Sequence, residues 1–152
     1  MTIKAILFDM DGALIASPDQ SPAAARAYPP DRTKVYLLSA LHNAGVRIGV
    51  YSNAIYDTVR AFLYASCLQP FVDSVVSGEA TRPKPDPAGY LQLMAFFGVE
   101  PHETLIVEDS AVGLEAAYRT GAHVLEVAGP HEVTFARIRD ALERAGGSPG
   151  DL

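Results

Sequence analysis

Residues 4–12 read KAILFDMDG. Ala5, Ile6, Leu7 and Phe8 run without a break into Asp9, and a second carboxylate follows at Asp11, just before Gly12. A short continuous apolar run bounded by turn residues is the pattern of a buried strand. Ending it in two acids spaced i and i+2, with a glycine that lets the chain turn sharply, places charge where the strand leaves the core.

Working outward, further short apolar runs at residues 46–51, 74–76, 104–107 and 123–127 alternate with amphipathic stretches at 33–44, 55–66, 87–97 and 110–120. The runs have the length of strands and the stretches the period of helices. Gly45, Gly98 and Gly121 each follow a helical stretch, where a left-handed closing residue is easiest for glycine. Asp86 before Pro87 reads as an N-cap with proline at the first helical position. This alternation predicts a three-layer α/β/α, Rossmann-like fold around a central five-stranded parallel sheet. Ligands then gather at the carboxyl ends of the strands.

A last amphipathic stretch over 133–145 is expected to pack as a terminal helix. The expected organisation is one catalytic core over 1–145 and a flexible tail over 146–152. Residues 12–33 break the alternation. They are rich in Pro and Ala, too short to bury a core of their own, and read as an ordered flap at the site's edge with a turn or short helix at 22–28.

The chain has 152 residues, nearly half of them apolar, which suits one folded domain. Twelve basic against 18 acidic side chains give a net charge of −6, which disfavours nucleic acid and anionic membranes as partners. Cys67 is the only cysteine, so no internal disulfide forms. The first residues lack the pattern of a signal peptide and no stretch has the length of a membrane span, so a soluble cytoplasmic protein is expected.

The chemistry-bearing residues sit at successive strand ends. Asp9 can attack phosphorus, while Asp11 can protonate a leaving oxygen and then take a proton from water. A calcium loop is excluded by spacing, because position twelve of a loop that begins at Asp9 is Gln20. Ser52 and Asn53 follow the second run and offer a hydroxyl and backbone N–H groups to phosphate. Lys84 stands between two prolines that stiffen its backbone, and its ammonium would neutralise phosphoryl oxygens. Glu108 and Asp109 end the fourth run as a second acid pair, suited to Mg²⁺. In a parallel sheet all four groups converge on one edge.

That ordered set resembles the haloacid dehalogenase-like (HAD) superfamily, whose four motifs match Asp9-Met10-Asp11-Gly12, Ser52, Lys84 and Glu108-Asp109. The resemblance runs from Lys4 to about Val127, and its later phrasing (KPDPAGY, then VEDSAVGLEAAYRTGAHVLEV) is similar to the β-phosphoglucomutase and phosphoglycolate phosphatase branch. It implies Asp9 as nucleophile and Asp11 as general acid/base. It implies Mg²⁺ held by Asp9, the backbone carbonyl of Asp11 and Asp109, with Glu108 close by. It also departs from that branch, which inserts a helical cap domain between the first and second motifs where this chain has only 12–33; Ala13 replaces the usual Thr or Val.

The expectation is therefore a capless phosphomonoester hydrolase acting on a small phosphorylated metabolite. A phosphatase for a protein or nucleic-acid end, and a catalytically silent protein that keeps the fold for binding, are the alternatives. A site without a cap calls for a large substrate or a neighbouring subunit as its cover, so a homo-oligomer is a candidate arrangement. His42, His102, His123 and His131 lack ligand spacing, and the aromatic residues of 56–64 and 90–97 read as core faces of helices.

Overall fold

The computed structural model describes residues 2–146. Five parallel strands form one sheet: β1 (Ala5–Asp9), β2 (Arg47–Tyr51), β3 (Ser74–Val76), β4 (Thr104–Glu108) and β5 (His123–Glu126). Their spatial order is β3-β2-β1-β4-β5. The chain thus fills one side of β1 first, then crosses to the other, which makes the end of β1 the switch point where an open α/β sheet leaves a crevice. Register places Asp9 opposite Tyr51 and Phe8 opposite Val107.

Among the described residues there are six α-helices: α1 (Pro22–Ala27), α2 (Arg32–Asn43), α3 (Tyr56–Ala65), α4 (Ala88–Phe97), α5 (Ala111–Arg119) and α6 (Phe135–Arg144). Alternation along β1 sends Ile6 and Phe8 to a core shared with α2, α3 and α6. Ala5 and Leu7 go to a second core with Tyr90, Leu93 and Met94 of α4 and Ala116 and Ala117 of α5. A sheet buried on both faces explains why the strands read as unbroken apolar runs. The three-layer architecture expected from the sequence is the one observed.

The helix starts follow their caps. Asp31, Ser110 and Thr134 each accept from the backbone N–H three residues on, opening α2, α5 and α6. At α4 the start falls one residue later than the sequence suggests. Pro87 takes the cap position, and Asp86 Oδ1 accepts from Ala88 N at 2.8 Å.

Residues 10–31 hold one short helix, α1, capped by Ser21 and laid along α3. The Tyr28 ring meets Phe62 of α3 edge-on at 5.5 Å, and its hydroxyl accepts from Ala16 N at 3.0 Å. Asp31 N donates to Ser66 O at 3.2 Å. The Pro- and Ala-rich segment is therefore pinned to the core at several points. Of the tail expected over 146–152, all but Gly146 lies outside the described residues.

Candidate active site

The carboxyl ends of β1, β2 and β4 and the loop before α4 meet in a cleft of about 310 Å³. Asp9, Asp11, Ser52, Asn53, Lys84 and Asp109 all line it, so strand-end residues far apart in sequence share one surface. Glu108, fully buried, lies beneath.

Lys84 is the hinge of the arrangement. Its ammonium donates to Asp9 Oδ1 at 2.7 Å, to Glu108 Oε1 at 2.5 Å and to the Tyr51 carbonyl at 3.3 Å. It also stands 4.8 Å and 5.4 Å from the ring centroids of Tyr51 and Tyr90. Asn53 Oδ1 accepts from Lys84 N at 3.2 Å, tying the loop after β2 to the lysine's backbone. Ser52 Oγ accepts from Ala54 N at 3.1 Å, which orients that hydroxyl at the turn. Burial works against the charged ammonium, yet the Asp9 and Glu108 carboxylates raise Lys84 above its ordinary value.

The second acid pair splits into two environments. Glu108 Oε1 takes Lys84 and the Tyr90 hydroxyl at 2.6 Å, and Oε2 takes Asp109 N at 3.1 Å. Asp109 Oδ1 is buried with no hydrogen-bond partner among the described residues. Two glycines make the close packing possible. A Cβ at Gly12, where φ is +90°, would stand 2.0 Å from Asp109 Oδ2, and one at Gly113 would stand 2.1 Å from Glu108 Oε2.

Burial pushes the Asp9 carboxyl from 3.8 up to about 8, with Glu108 adding to the rise and Lys84 opposing it. Burial also raises Asp11, whose Oδ1 accepts from Ser17 N at 3.4 Å and whose other close charge is Asp109. Asp9, buried and pressed toward neutrality, stands beside an Asp109 carboxylate oxygen without a hydrogen-bond partner, a donor set that an added positive charge would satisfy. One carboxylate oxygen each from Asp9, Glu108 and Asp109 lies within 4.8 Å of the others. All-oxygen donors fit a hard divalent cation.

The sequence missed Tyr90 and Gln20. Tyr90 sits in the apolar pattern of α4 and reads as core, and only the fold puts Glu108 against its hydroxyl. Its signal was its place six residues after Lys84 in KPDPAGY. Gln20 lines the cleft from the segment before α1, where no periodicity marks it.

A doubly wound parallel sheet with acids at its switch point and a lysine bridging them defines the class of fold. Residues 30–127 match the family described as haloacid dehalogenase-like hydrolase, and the chain belongs to that family. The match takes in Ser52, Lys84, Glu108 and Asp109; Asp9 and Asp11 precede it.

Among the relatives, the phosphoglycolate phosphatase of Nitrosospira multiformis is 36% identical over 100 residues, 65% of this chain and 43% of that protein. The validoxylamine A 7'-phosphate phosphatase of Streptomyces hygroscopicus subsp. limoneus is 27% identical over 107 residues, 70% of this chain and 50% of that protein. The chain thus spans about half the length of the curated relatives it matches. The crystal structure of CbbY from Rhodobacter sphaeroides in complex with phosphate aligns with a TM-score of 0.72 at 19% identity, covering 88% of this chain and 89% of that one. That likeness establishes the shared fold. Among the described residues, no helix is long and apolar enough to cross a membrane.

Proposed function

We propose that the chain is a Mg²⁺-dependent phosphomonoester hydrolase that works through an aspartyl-phosphate on Asp9, with a small phosphorylated metabolite as substrate. The observation that carries this reading is the Lys84 ammonium held between Asp9 and Glu108 at the floor of a cleft that also exposes Asp11. The named activities of the relatives support it, since both act on phosphates.

A carboxylate oxygen of Asp9 forms a bond to phosphorus as the bond to the leaving oxygen breaks. Asp11 gives its proton to that oxygen, a role favoured by the desolvation that raises its carboxyl above the ordinary value. Water then attacks the phosphoryl group, Asp11 takes its proton, and Asp9 is released with inorganic phosphate. Ser52 and Lys84 contact the phosphoryl oxygens, and Asn53 holds the Lys84 backbone in place. Asp9, Asp109 and the carbonyl oxygen of Asp11 would hold Mg²⁺, with Glu108 close by. When bound, the ion neutralises charge on the transferring group. Glu108 fixes the Lys84 ammonium.

Hydrolysis of p-nitrophenyl phosphate with Mg²⁺, and its loss in EDTA, tests the reading. Turnover that survives full chelation would remove the metal from it, and no turnover under any divalent cation would remove the reaction.

A further inference from the structure

Residues 77–87 join β3 to α4 as a loop without helix or strand, and this loop carries Lys84 into the cleft. Its main chain must be fixed if the ammonium is to meet Asp9 and a phosphoryl oxygen together. Tyr51, the last residue of β2, touches the loop at two levels. Its carbonyl accepts from Lys84 Nζ at 3.3 Å, and its hydroxyl donates to Arg82 O at 2.8 Å. Between those two ends the ring centroid lies 4.8 Å from the Lys84 ammonium. One residue thus spans the stretch from Arg82 to Lys84, holding the loop's backbone with its tip and the ammonium at its root.

Tyr51 itself is locked. It is fully buried and paired in the ladder with Asp9 on one side and Val76 on the other. The Tyr90 ring meets it edge-on at 5.0 Å. The backbone of Gly89 crowds its hydroxyl end, since a Cβ there would stand 2.4 Å from Tyr51 Cζ. Burial raises the hydroxyl above its ordinary value, so it keeps its proton and serves as the donor to Arg82 O. Register pairing with Asp9 means that the loop is placed from the same strand pair that places the attacking carboxylate. Asn53, two residues on, accepts from Lys84 N, so β2 and the turn after it hold the loop at two successive points.

We propose that the Tyr51 hydroxyl is a positioning group for Lys84, setting through Arg82 O the place at which the ammonium meets Asp9 and the phosphoryl group. Glu108 and Tyr90 fix the ammonium from beneath, whereas Tyr51 fixes the chain that delivers it. Tyr51 does not line the cleft, so the effect of its hydroxyl runs through Lys84. The proposal rests on the phosphatase reading above and adds to it a residue that the strand-end motifs leave without a role.

The test measures kcat and KM for p-nitrophenyl phosphate, together with the Mg²⁺ concentration for half-maximal activity. Tyr51→Phe keeps the ring and the carbonyl and removes only the donor. Its kcat is expected to fall about tenfold, matching one buried hydrogen bond, with the Mg²⁺ requirement unchanged because the metal-binding carboxylates lie outside the loop. Arg82→Ala keeps the accepting carbonyl and should hold the wild-type kcat, since the guanidinium is exposed and 3.7 Å from Asp86. On a Lys84→Met background, adding Tyr51→Phe is expected to change kcat/KM by less than about twofold, because no ammonium remains to be placed. A kcat unmoved in Tyr51→Phe, or a loss repeated in full on the Lys84→Met background, overturns the positioning role while wild-type turnover still supports the phosphatase. A loss that raises the Mg²⁺ requirement in step is a general loosening of the site and overturns it too. No turnover by wild type under any divalent cation overturns both.

Discussion

The Tyr90 hydroxyl donates to Oε1 of Glu108 at 2.6 Å, the same oxygen that receives the Lys84 ammonium. Both partners are fully buried, so neither has water to fall back on. Tyr90 is therefore a positioning residue for Lys84, acting through Glu108. Tyr90→Phe keeps the ring and its edge contact with Tyr51 at 5.0 Å but removes the donor. On the proposed mechanism kcat for p-nitrophenyl phosphate is expected to fall about tenfold, the factor that matches one buried hydrogen bond to a charged group. KM and the far-ultraviolet spectrum should stay close to wild type. An unchanged kcat would reduce Tyr90 to a core residue.

Asp9 gives the metal-free protein a pH-dependent stability. Its carboxyl rises from 3.8 to about 8 on folding, first through burial and then through Glu108, against the pull of Lys84. A folded value above the unfolded one means that the native state holds the proton more tightly. The contribution is full below about 3.8 and is lost as pH rises through about 8. Thermal melts in EDTA should show wild type losing ground to Asp9→Asn between about pH 4 and pH 8. Mg²⁺ should restore wild type and leave the variant where it was. A Tm difference that does not change with pH would show that Asp9 is ionised throughout.

The strands were legible because a sheet covered on both faces asks only for apolar residues, and Ala5 to Phe8 supply them without interruption. The strand-end acids were legible because a charge that ends such a run has few structural uses. What the sequence hid depends on contacts across the chain. Glu108 reads as one of an equivalent pair with Asp109, yet its oxygens face Lys84, Tyr90 and the Asp109 N–H, while Asp109 Oδ1 faces no donor. Nothing local to LIVEDS distinguishes the two; residues 24 and 18 positions upstream do. The Asp86 cap falls one residue off for a smaller reason: Pro87 takes the cap position with helical dihedrals, and Asp86 Oδ1 still accepts from Ala88 N.

Gly12 sets how close the first turn comes to Asp109. Its φ of +90° and a Cβ that would stand 2.0 Å from Asp109 Oδ2 mean that Gly12→Ala strains the backbone and displaces the carboxylate together. The stability loss is expected to be about 1–3 kcal/mol. The sharper signature is functional: the Mg²⁺ concentration for half-maximal activity should rise, as it should for Asp109→Ala. Activation by Mg²⁺ at the wild-type concentration would take Asp109 out of the metal site.

Asp9 and Asp11 separate by what each removal leaves behind. On the proposed mechanism Asp9→Asn replaces the nucleophile with an amide, so every substrate should lose turnover, p-nitrophenyl phosphate included. Asp11→Asn keeps the nucleophile and removes the proton donor. An alkyl phosphate needs that proton, because an alkoxide is a poor leaving group, whereas p-nitrophenolate departs without it. Asp11→Asn should therefore lose alkyl phosphate hydrolysis by about 10²–10⁴-fold while still accepting a phosphoryl group from p-nitrophenyl phosphate. The proposed mechanism also gives Asp11 the water of the second half-reaction, so the phosphorylated protein should accumulate. Rapid acid quench followed by intact-mass measurement would detect it on Asp11→Asn, and Asp9→Asn should stay unmodified. Substantial p-nitrophenyl phosphate turnover by purified Asp9→Asn would overturn the covalent route.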